Sequence, residues 1–105
     1  MLIRPARHDD VAEIASWTQD TFDWGDYIAE RLPEWIDNPG AQVIVAEDEG
    51  RVIATVTGTM VSSTETWAQG VRVHPDHRRK GIGTAVSRAL WDWARERGAA
   101  VVRLA

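Results

Sequence analysis

The sequence predicts a mixed α/β fold, in which helices cover a sheet that contains parallel and antiparallel strands. Three observations predict this fold. Residues 42–73 read as three successive β-rich stretches separated by short turns. Residues 82–93 then carry apolar side chains at helical spacing. A last β-rich stretch follows this helix, and the right-handed crossover between them makes that strand parallel to its neighbour.

The first strand and the first helix are recognised by their ends. Leu2–Arg4 predicts a short strand, which Pro5 closes because proline lacks the N–H that a strand ladder needs. Either Asp9 or Asp10 can cap the helix that follows, and Asp10 with Glu13 has the spacing of a capping box.

A second helix is predicted over Asp26–Ile36, where apolar residues recur on one stripe. Pro33 lies inside this stretch and removes one hydrogen bond of a regular helix. We therefore expect a kink or a break near Leu32. Residues 38–40 form an Asn-Pro-Gly turn.

The central strands are predicted over residues 42–47, 51–61 and 65–73. Strict alternation in the second of them places Val52, Ala54 and Val56 on one face. Gly70, inside the third strand, indicates a bulge or a close approach of another backbone. A helix over residues 81–97 ends at Gly98, and a final strand covers Ala100–Leu104.

The stretch between Val73 and the helix at 81–97 has the composition of an anion-binding loop. Gly81 and Gly83 allow the backbone to curl, so that successive N–H groups converge on one point. Three consecutive cations precede them: Arg78, Arg79 and Lys80. The helix adds its unpaired first-turn N–H groups and the positive end of its dipole. A phosphate or a pyrophosphate is the expected ligand.

Two common phosphate loops do not fit this stretch. A nucleotide-triphosphate loop needs its lysine after the glycines, whereas Lys80 precedes them. The dinucleotide fingerprint needs a third glycine where Val86 stands. The pattern Arg78-x-x-Gly81-x-Gly83 instead resembles the Arg/Gln-x-x-Gly-x-Gly/Ala signature of the acetyl-CoA-dependent N-acetyltransferase (GNAT) superfamily.

This resemblance implies a reaction, a co-substrate and a set of binding residues. The chain would transfer an acetyl group from acetyl-CoA to an amine, with the pyrophosphate on the backbone amides of residues 79–84. The pantetheine arm would pair like an extra strand with the backbone of Glu65–Val73, and an N–H near Gly70 could polarise the thioester carbonyl. The implied coenzyme-binding residues are Val71, Arg72, Val73, Arg78, Arg79, Lys80, Gly81, Ile82, Gly83 and Thr84.

The sequence indicates the catalytic groups less clearly than the coenzyme-binding residues. Glu65 is the best candidate for a general base, although an exposed glutamate at a strand end is at least as good an interpretation, and Glu47 is a weaker candidate. The family's usual acid is a tyrosine on a helix after the fifth strand, and Tyr27 lies in a different region. Four aromatic residues fall where the family's acceptor pocket lies, with core packing as the favoured alternative: Phe22, Trp24, Tyr27 and Trp35.

Composition excludes several classes of function. The length of 105 residues predicts a single domain over residues 1–105. The chain has no cysteine, and its three histidines lack metal-ligand spacing, so we expect neither thiol chemistry nor a metal site. A net charge of −4 disfavours nucleic-acid partners. No apolar run has membrane-spanning length, so we expect no membrane partner and a cytoplasmic location.

The predicted order, β-α-α-β-β-β-α-β, matches the N-terminal two-thirds of the GNAT fold, which continues with a further helix and two strands. A fragment of a longer protein is the favoured explanation, and completion by a partner chain is the alternative. The strand Ala100–Leu104 would then have an open edge, which favours a homodimer. A non-catalytic module that binds acyl-CoA is the second functional hypothesis.

Overall fold

A computed structural model describes residues 1–23 and 25–104 of the protein, so that Trp24 and Ala105 lie outside the described residues. The elements follow the predicted order. They are β1 (Leu2–Pro5), α1 (Asp10–Thr18), α2 (Ile28–Asp37), β2 (Ala41–Asp48), β3 (Arg51–Met60), β4 (Glu65–Val73), a 3₁₀ turn (Pro75–His77), α3 (Ile82–Glu96) and β5 (Val101–Leu104).

The five strands form one mixed sheet in the order β1-β2-β3-β4-β5. The first four are antiparallel neighbours, and β5 is parallel to β4, as the crossover through α3 predicts. Only residues 65–68 of β4 pair with β5. Within the described part of the chain, residues 69–73 therefore have a strand partner on the β3 side alone, and their other side is an open edge.

The helices cover both faces of the sheet. On one face, α1 and α2 bury a cluster of apolar side chains: Ile14, Ile28, Leu32, Val43, Val45 and Val52. On the other face, α3 buries a second cluster, which includes Ala46, Ala54, Val56, Ala68, Val86 and Leu90. None of the helices in the described ranges is both long enough and apolar enough to cross a bilayer.

Of the two outcomes expected near Leu32, the break in the second helix is wrong, whereas the kink stays a prediction. Helix α2 continues through Pro33 to Asp37. Proline removes only one hydrogen bond of the ladder, whereas Ile28 and Leu32, on the same helix, are fully buried against the sheet. Burial of two such side chains contributes about 3–6 kcal/mol, which equals or exceeds the cost of about 3 kcal/mol that an internal proline imposes.

The expected capping box of the first helix is also wrong. The Asp9 side chain forms no capping hydrogen bond. Asp10 instead accepts from the N–H of Arg7 at 2.7 Å and forms two hydrogen bonds with the Arg4 guanidinium, at 2.8 and 2.9 Å. The Glu13 carboxylate binds Arg51 at 2.8 Å. Arg4, on β1, therefore binds the Asp10 carboxylate, which the capping-box spacing had predicted to cap the start of α1.

A bulge in β3 changes which side chains share a face. Ala46 pairs with Ala54, but Glu47 pairs with Val52, so Ile53 is an extra residue on β3. The bulge interrupts the alternation of side chains. As a result Val52 joins the cluster under α1 and α2, while Ala54 lies under α3, and the prediction that the two share a face is wrong.

Candidate active site

The chain leaves β4 through a tightly bonded turn. The N–H of His74 donates to the carbonyl of Ile53 at 2.7 Å, which keeps it paired with β3. The Nδ1 atom of His74 then accepts from the N–H of Asp76 at 3.1 Å and caps the 3₁₀ turn. These two hydrogen bonds set the direction in which the following loop starts.

The loop itself has the backbone of an anion-binding site. Arg79 has φ = +65° and Gly81 has φ = +75°, on either side of Lys80. Left-handed residues turn successive N–H groups towards the same side, and for a residue other than glycine this costs about 1–2 kcal/mol. Over the residues that the structure describes, the N–H groups of residues 79–84 have no protein acceptor, and the first N–H of α3 to be paired is that of Ala85. These six amides are therefore available to a ligand.

The first turn of α3 lies directly against the end of β4. A Cβ atom built on Gly83 would lie 3.5 Å from Val73 Cγ2 and 3.8 Å from Val71 Cγ1. The Val73 carbonyl points to the open edge of β4, because the neighbouring His74 N–H faces β3. This carbonyl accepts from Nε of Arg78 at 3.4 Å. The loop and the open strand edge thus form one continuous polar surface.

The middle of the open edge is distorted by the predicted bulge. Thr55 pairs with Arg72 and Thr57 pairs with Gln69, so β4 has one extra residue in this interval. Gly70 has φ = +70°, and a Cβ atom there would lie 2.7 Å from Ile28 Cδ1. Both features expected of Gly70, the bulge and the close approach of another element, are present.

A buried ion pair ties the loop between α1 and α2 to this bulge. Arg72 Nε lies 2.7 Å from Asp26 Oδ2, and Nη2 lies 3.1 Å from Oδ1. The Asp26 side chain is 2% exposed and that of Arg72 is 14% exposed. Burial alone would raise the pKa of Asp26, but the hydrogen bonds from Arg72 and from the Ile28 N–H outweigh it, so that the pKa lies below its ordinary value. Sequence reasoning assigned only a main-chain role to Arg72 and missed Asp26.

The aromatic residues of this region divide into two groups. The Cζ atom of Arg72 lies 5.4 Å from the Phe22 ring centroid and 5.7 Å from that of Tyr27, and both rings are exposed. Trp35 is half-buried beside Gly70 and packs against the core under α2. Trp24 lies outside the described residues. Core packing therefore holds for Trp35, whereas two exposed rings border the bulge.

The two candidate bases lie away from the bulge. Glu65 pairs with Val101 at the start of β4, and its carboxylate accepts a hydrogen bond from the Arg103 guanidinium. Five steps of extended chain separate it from Gly70, which corresponds to about 16 Å. The Glu47 carboxylate accepts from Arg4 at 3.3 Å. The catalytic role of Glu65 stays a prediction.

A groove of about 520 Å³ adjoins the loop and the open edge. Its walls come from β4, α3 and β5, through Val71, Thr84, Ser87, Arg88, Trp91 and Leu104. Because Val71, Gly83 and Thr84 line it, the groove is continuous with the open edge of β4 and with the end of the loop.

The family model described as "Acetyltransferase (GNAT) family" matches residues 10–105. The chain belongs to this family. A histidine N-acetyltransferase of Scomber australasicus is 32% identical over 84 residues, which are 79% of this chain and 25% of that protein. The chain therefore spans about a quarter of the length of the curated histidine N-acetyltransferases that it matches.

Solved structures agree on the fold. An aminoglycoside 6'-N-acetyltransferase in complex with coenzyme A has a TM-score of 0.85 at 20% identity, covering 99% of this chain and 61% of that one. A protein from Bacillus halodurans C-125, described as a transcriptional regulator, has a TM-score of 0.84 at 21% identity, covering 99% of this chain and 80% of that one. At these identities the likeness concerns the GNAT fold.

Proposed function

We propose that this chain binds acetyl-CoA and transfers the acetyl group to an amine by direct attack. One observation carries the proposal: the amides of residues 79–84 have no protein acceptors in the described chain, and the loop that holds them follows the open edge of β4. A pyrophosphate satisfies such amides, and the dipole of α3 favours its charge. Arg78, Arg79 and Lys80 add three positive charges to the same loop.

The open edge of β4 supplies the remaining contacts with the coenzyme. The amides of a pantetheine arm would hydrogen-bond to main-chain groups of Val71, Arg72 and Val73, as an added strand does. The Val73 carbonyl would then exchange its contact with Arg78 for one with the ligand. This alignment would bring the thioester to the bulge at Gly70.

The bulge is suited to acyl transfer. An N–H that the bulge removes from the ladder can donate to the thioester oxygen as its charge develops. The amine nitrogen attacks the thioester carbon, the C–S bond breaks, and the sulfur leaves as a thiolate. Glu65 is proposed to take the proton from the amine, and its separation of about 16 Å from Gly70 along β4 requires that a chain of several waters carry this proton.

The acceptor would approach from the side of α1 and α2, where Phe22 and Tyr27 are exposed. The curated relatives named histidine N-acetyltransferase make histidine the first acceptor to test. A cytoplasmic location and a homodimer through the open sheet edge belong to the same proposal. A non-catalytic module that binds acyl-CoA is the alternative to be separated by experiment.

Calorimetric titration with coenzyme A tests the proposed loop. Thr84 is exposed in the first turn of α3. Thr84→Asp stabilises the helix start but repels phosphate, whereas the matched Thr84→Asn variant keeps the shape without the charge. We expect Thr84→Asp to weaken binding at least 10-fold and Thr84→Asn to weaken it less than about 3-fold. Equal affinity of both variants would refute phosphate binding at this loop.

Thiol release from acetyl-CoA in the presence of histidine and other amines tests the reaction. A catalytic chain gives amine-dependent release, and Glu65→Gln lowers kcat without changing the affinity for coenzyme A. Binding without any amine-dependent release would favour the non-catalytic module.

A further inference from the structure

Two carbonyls at the bulge in β3 accept hydrogen bonds from outside the β2–β3 ladder. The Val52 carbonyl accepts from the indole N–H of Trp17 at 3.0 Å. The Ile53 carbonyl accepts from the backbone N–H of His74 at 2.7 Å. A bulge leaves backbone groups to find partners elsewhere, because its extra residue has no counterpart on the neighbouring strand. The bulge therefore joins α1, through Trp17, to the residue that follows β4.

The side chains of Trp17 and His74 also contact each other. Their ring centroids lie 5.6 Å apart and their planes are tilted by 52°, which is a distance at which aromatic rings attract. Trp17 is half-buried near the end of α1 and packs against the core under α1 and α2. The His74 side chain is only 20% exposed. Helix α1, on the face of the sheet opposite α3, thus sets the position of the His74 ring.

The His74 ring in turn holds the start of the loop. Its Nδ1 atom accepts from the N–H of Asp76 and caps the turn Pro75–His77. Arg78 alone separates this turn from Arg79, where φ is +65°. Such a backbone is unfavourable for arginine, so it persists only where the surrounding structure fixes it. A turn that lost its cap would let Arg79 relax to negative φ and would redirect the amides that follow.

We propose that Trp17 and His74 are positioning residues for the coenzyme, which hold the loop so that the amides of residues 79–84 meet the pyrophosphate. The inference rests on the proposed function, because that proposal supplies the ligand of these amides. The contacts run in series, from the indole to the imidazole and from the imidazole to the Asp76 N–H. Loss of either side chain should therefore weaken binding of the pyrophosphate and spare the pantetheine arm, which depends on β4.

Two substitutions at His74 separate the cap from the bulk of the ring. Leucine removes the acceptor, whereas asparagine at the start of a turn accepts from the N–H two residues further on. We expect His74→Leu to weaken coenzyme A about 10-fold in calorimetric titration, which is the equivalent of one hydrogen bond to a charged group. His74→Asn should return the affinity to within about 3-fold of the wild type.

Pantetheine, which lacks the pyrophosphate, is the second ligand, and its affinity is measured by displacement of bound coenzyme A. His74→Leu should change this affinity less than about 2-fold. Trp17→Phe keeps a ring beside His74 but removes the N–H that Val52 accepts, and it should weaken coenzyme A about 3–5-fold. The double variant should bind coenzyme A within about 2-fold of His74→Leu alone, because residues that act in series are not additive.

Two control variants distinguish positioning from general loss of stability. His77→Leu removes a ring that lies 5.4 Å from His74 but does not cap the turn. Trp93→Phe removes a half-buried indole from the far part of α3. Both should change the affinity for coenzyme A less than about 2-fold. Urea denaturation measures the stability of every variant, and affinity that falls in proportion to stability in all of them, Trp93→Phe included, would overturn the proposal.

The proposed function and this inference fail through different results. If the wild type does not bind coenzyme A, the proposed function fails and this inference fails with it. If the wild type binds and Thr84→Asp weakens binding, but His74→Leu binds as tightly as the wild type, only the inference is wrong. Equal weakening of coenzyme A and pantetheine by His74→Leu would also refute it, because the substitution would then act on the whole site rather than on the loop.

Discussion

The buried pair of Asp26 and Arg72 should be one of the strongest single determinants of stability in this chain. The Asp26→Ala change leaves a guanidinium that is only 14% exposed without the carboxylate that accepts two of its N–H groups. Breaking a buried ion pair from one side costs about 3–5 kcal/mol. Because Arg72 keeps its hydrogen bond to the Val71 carbonyl, we expect a cost of about 3 kcal/mol.

The coupling free energy between the Asp26 and Arg72 changes shows whether the two side chains stabilise the fold as a pair or independently. Arg72→Met should cost a similar amount, since it leaves the Asp26 carboxylate buried with the Ile28 N–H and the Thr21 side chain, both neutral, as its hydrogen-bond donors. The double variant should cost about 2 kcal/mol less than the sum of the single changes, because it removes both buried charges together. In a chain of 105 residues, 3 kcal/mol corresponds to a fall in Tm of about 12 °C.

Urea denaturation followed by tryptophan fluorescence measures these free energies. The exposed pair of Asp92 and Arg95, at 3.5 Å, is the control, and its two single changes should each cost less than about 0.5 kcal/mol and be additive. Additivity within about 0.5 kcal/mol at Asp26 and Arg72 would refute the view that the two side chains stabilise the fold as a pair.

Two further predictions concern packing and pH. Gly58→Ala should lower the free energy of unfolding by about 1–3 kcal/mol, because the added Cβ would lie 2.5 Å from Leu90 Cδ1. Adding Leu90→Val should recover part of this loss. A urea midpoint that Gly58→Ala leaves unchanged would contradict the close contact. The hydrogen bonds from Arg4 hold the pKa of Asp10 below its ordinary value, so this stabilisation is present above about pH 4 and is lost as the pH falls further. Asp10→Asn should therefore flatten the acid limb of the stability profile, and an unaltered limb would contradict this account.

Sequence patterns predicted most of the fold because the signals are local. The left-handed turn before α3 is marked by Gly81, where φ is +75°, and α3 shows its buried stripe through spacing alone. The distortion at Gly70 was predicted for the same reason, since a glycine inside a strand is itself the signal. The parallel pairing of β5 followed from the helical crossover between β4 and β5.

Long-range contacts explain where prediction failed. The carboxylate of Asp10 was expected to take part in a capping box, but the Arg4 guanidinium on the adjoining strand binds it. Helix α2 continues past Pro33 because the sheet buries its apolar stripe, which local propensity does not include. Val52 changes face because the register between β2 and β3 contains one extra residue.

The sequence by itself determined the order of the elements, the position of the glycine-rich loop before α3 and the family, since all three depend on residues that are close together in the chain. Only the tertiary structure decided the partners of Arg72 and Glu65, which lie 46 and 38 residues away from them. It also decided that Thr84, Arg88 and Trp91 share a groove with Leu104. Contacts of this kind leave no periodic signal, because closure of the sheet, rather than the local backbone, brings the side chains together.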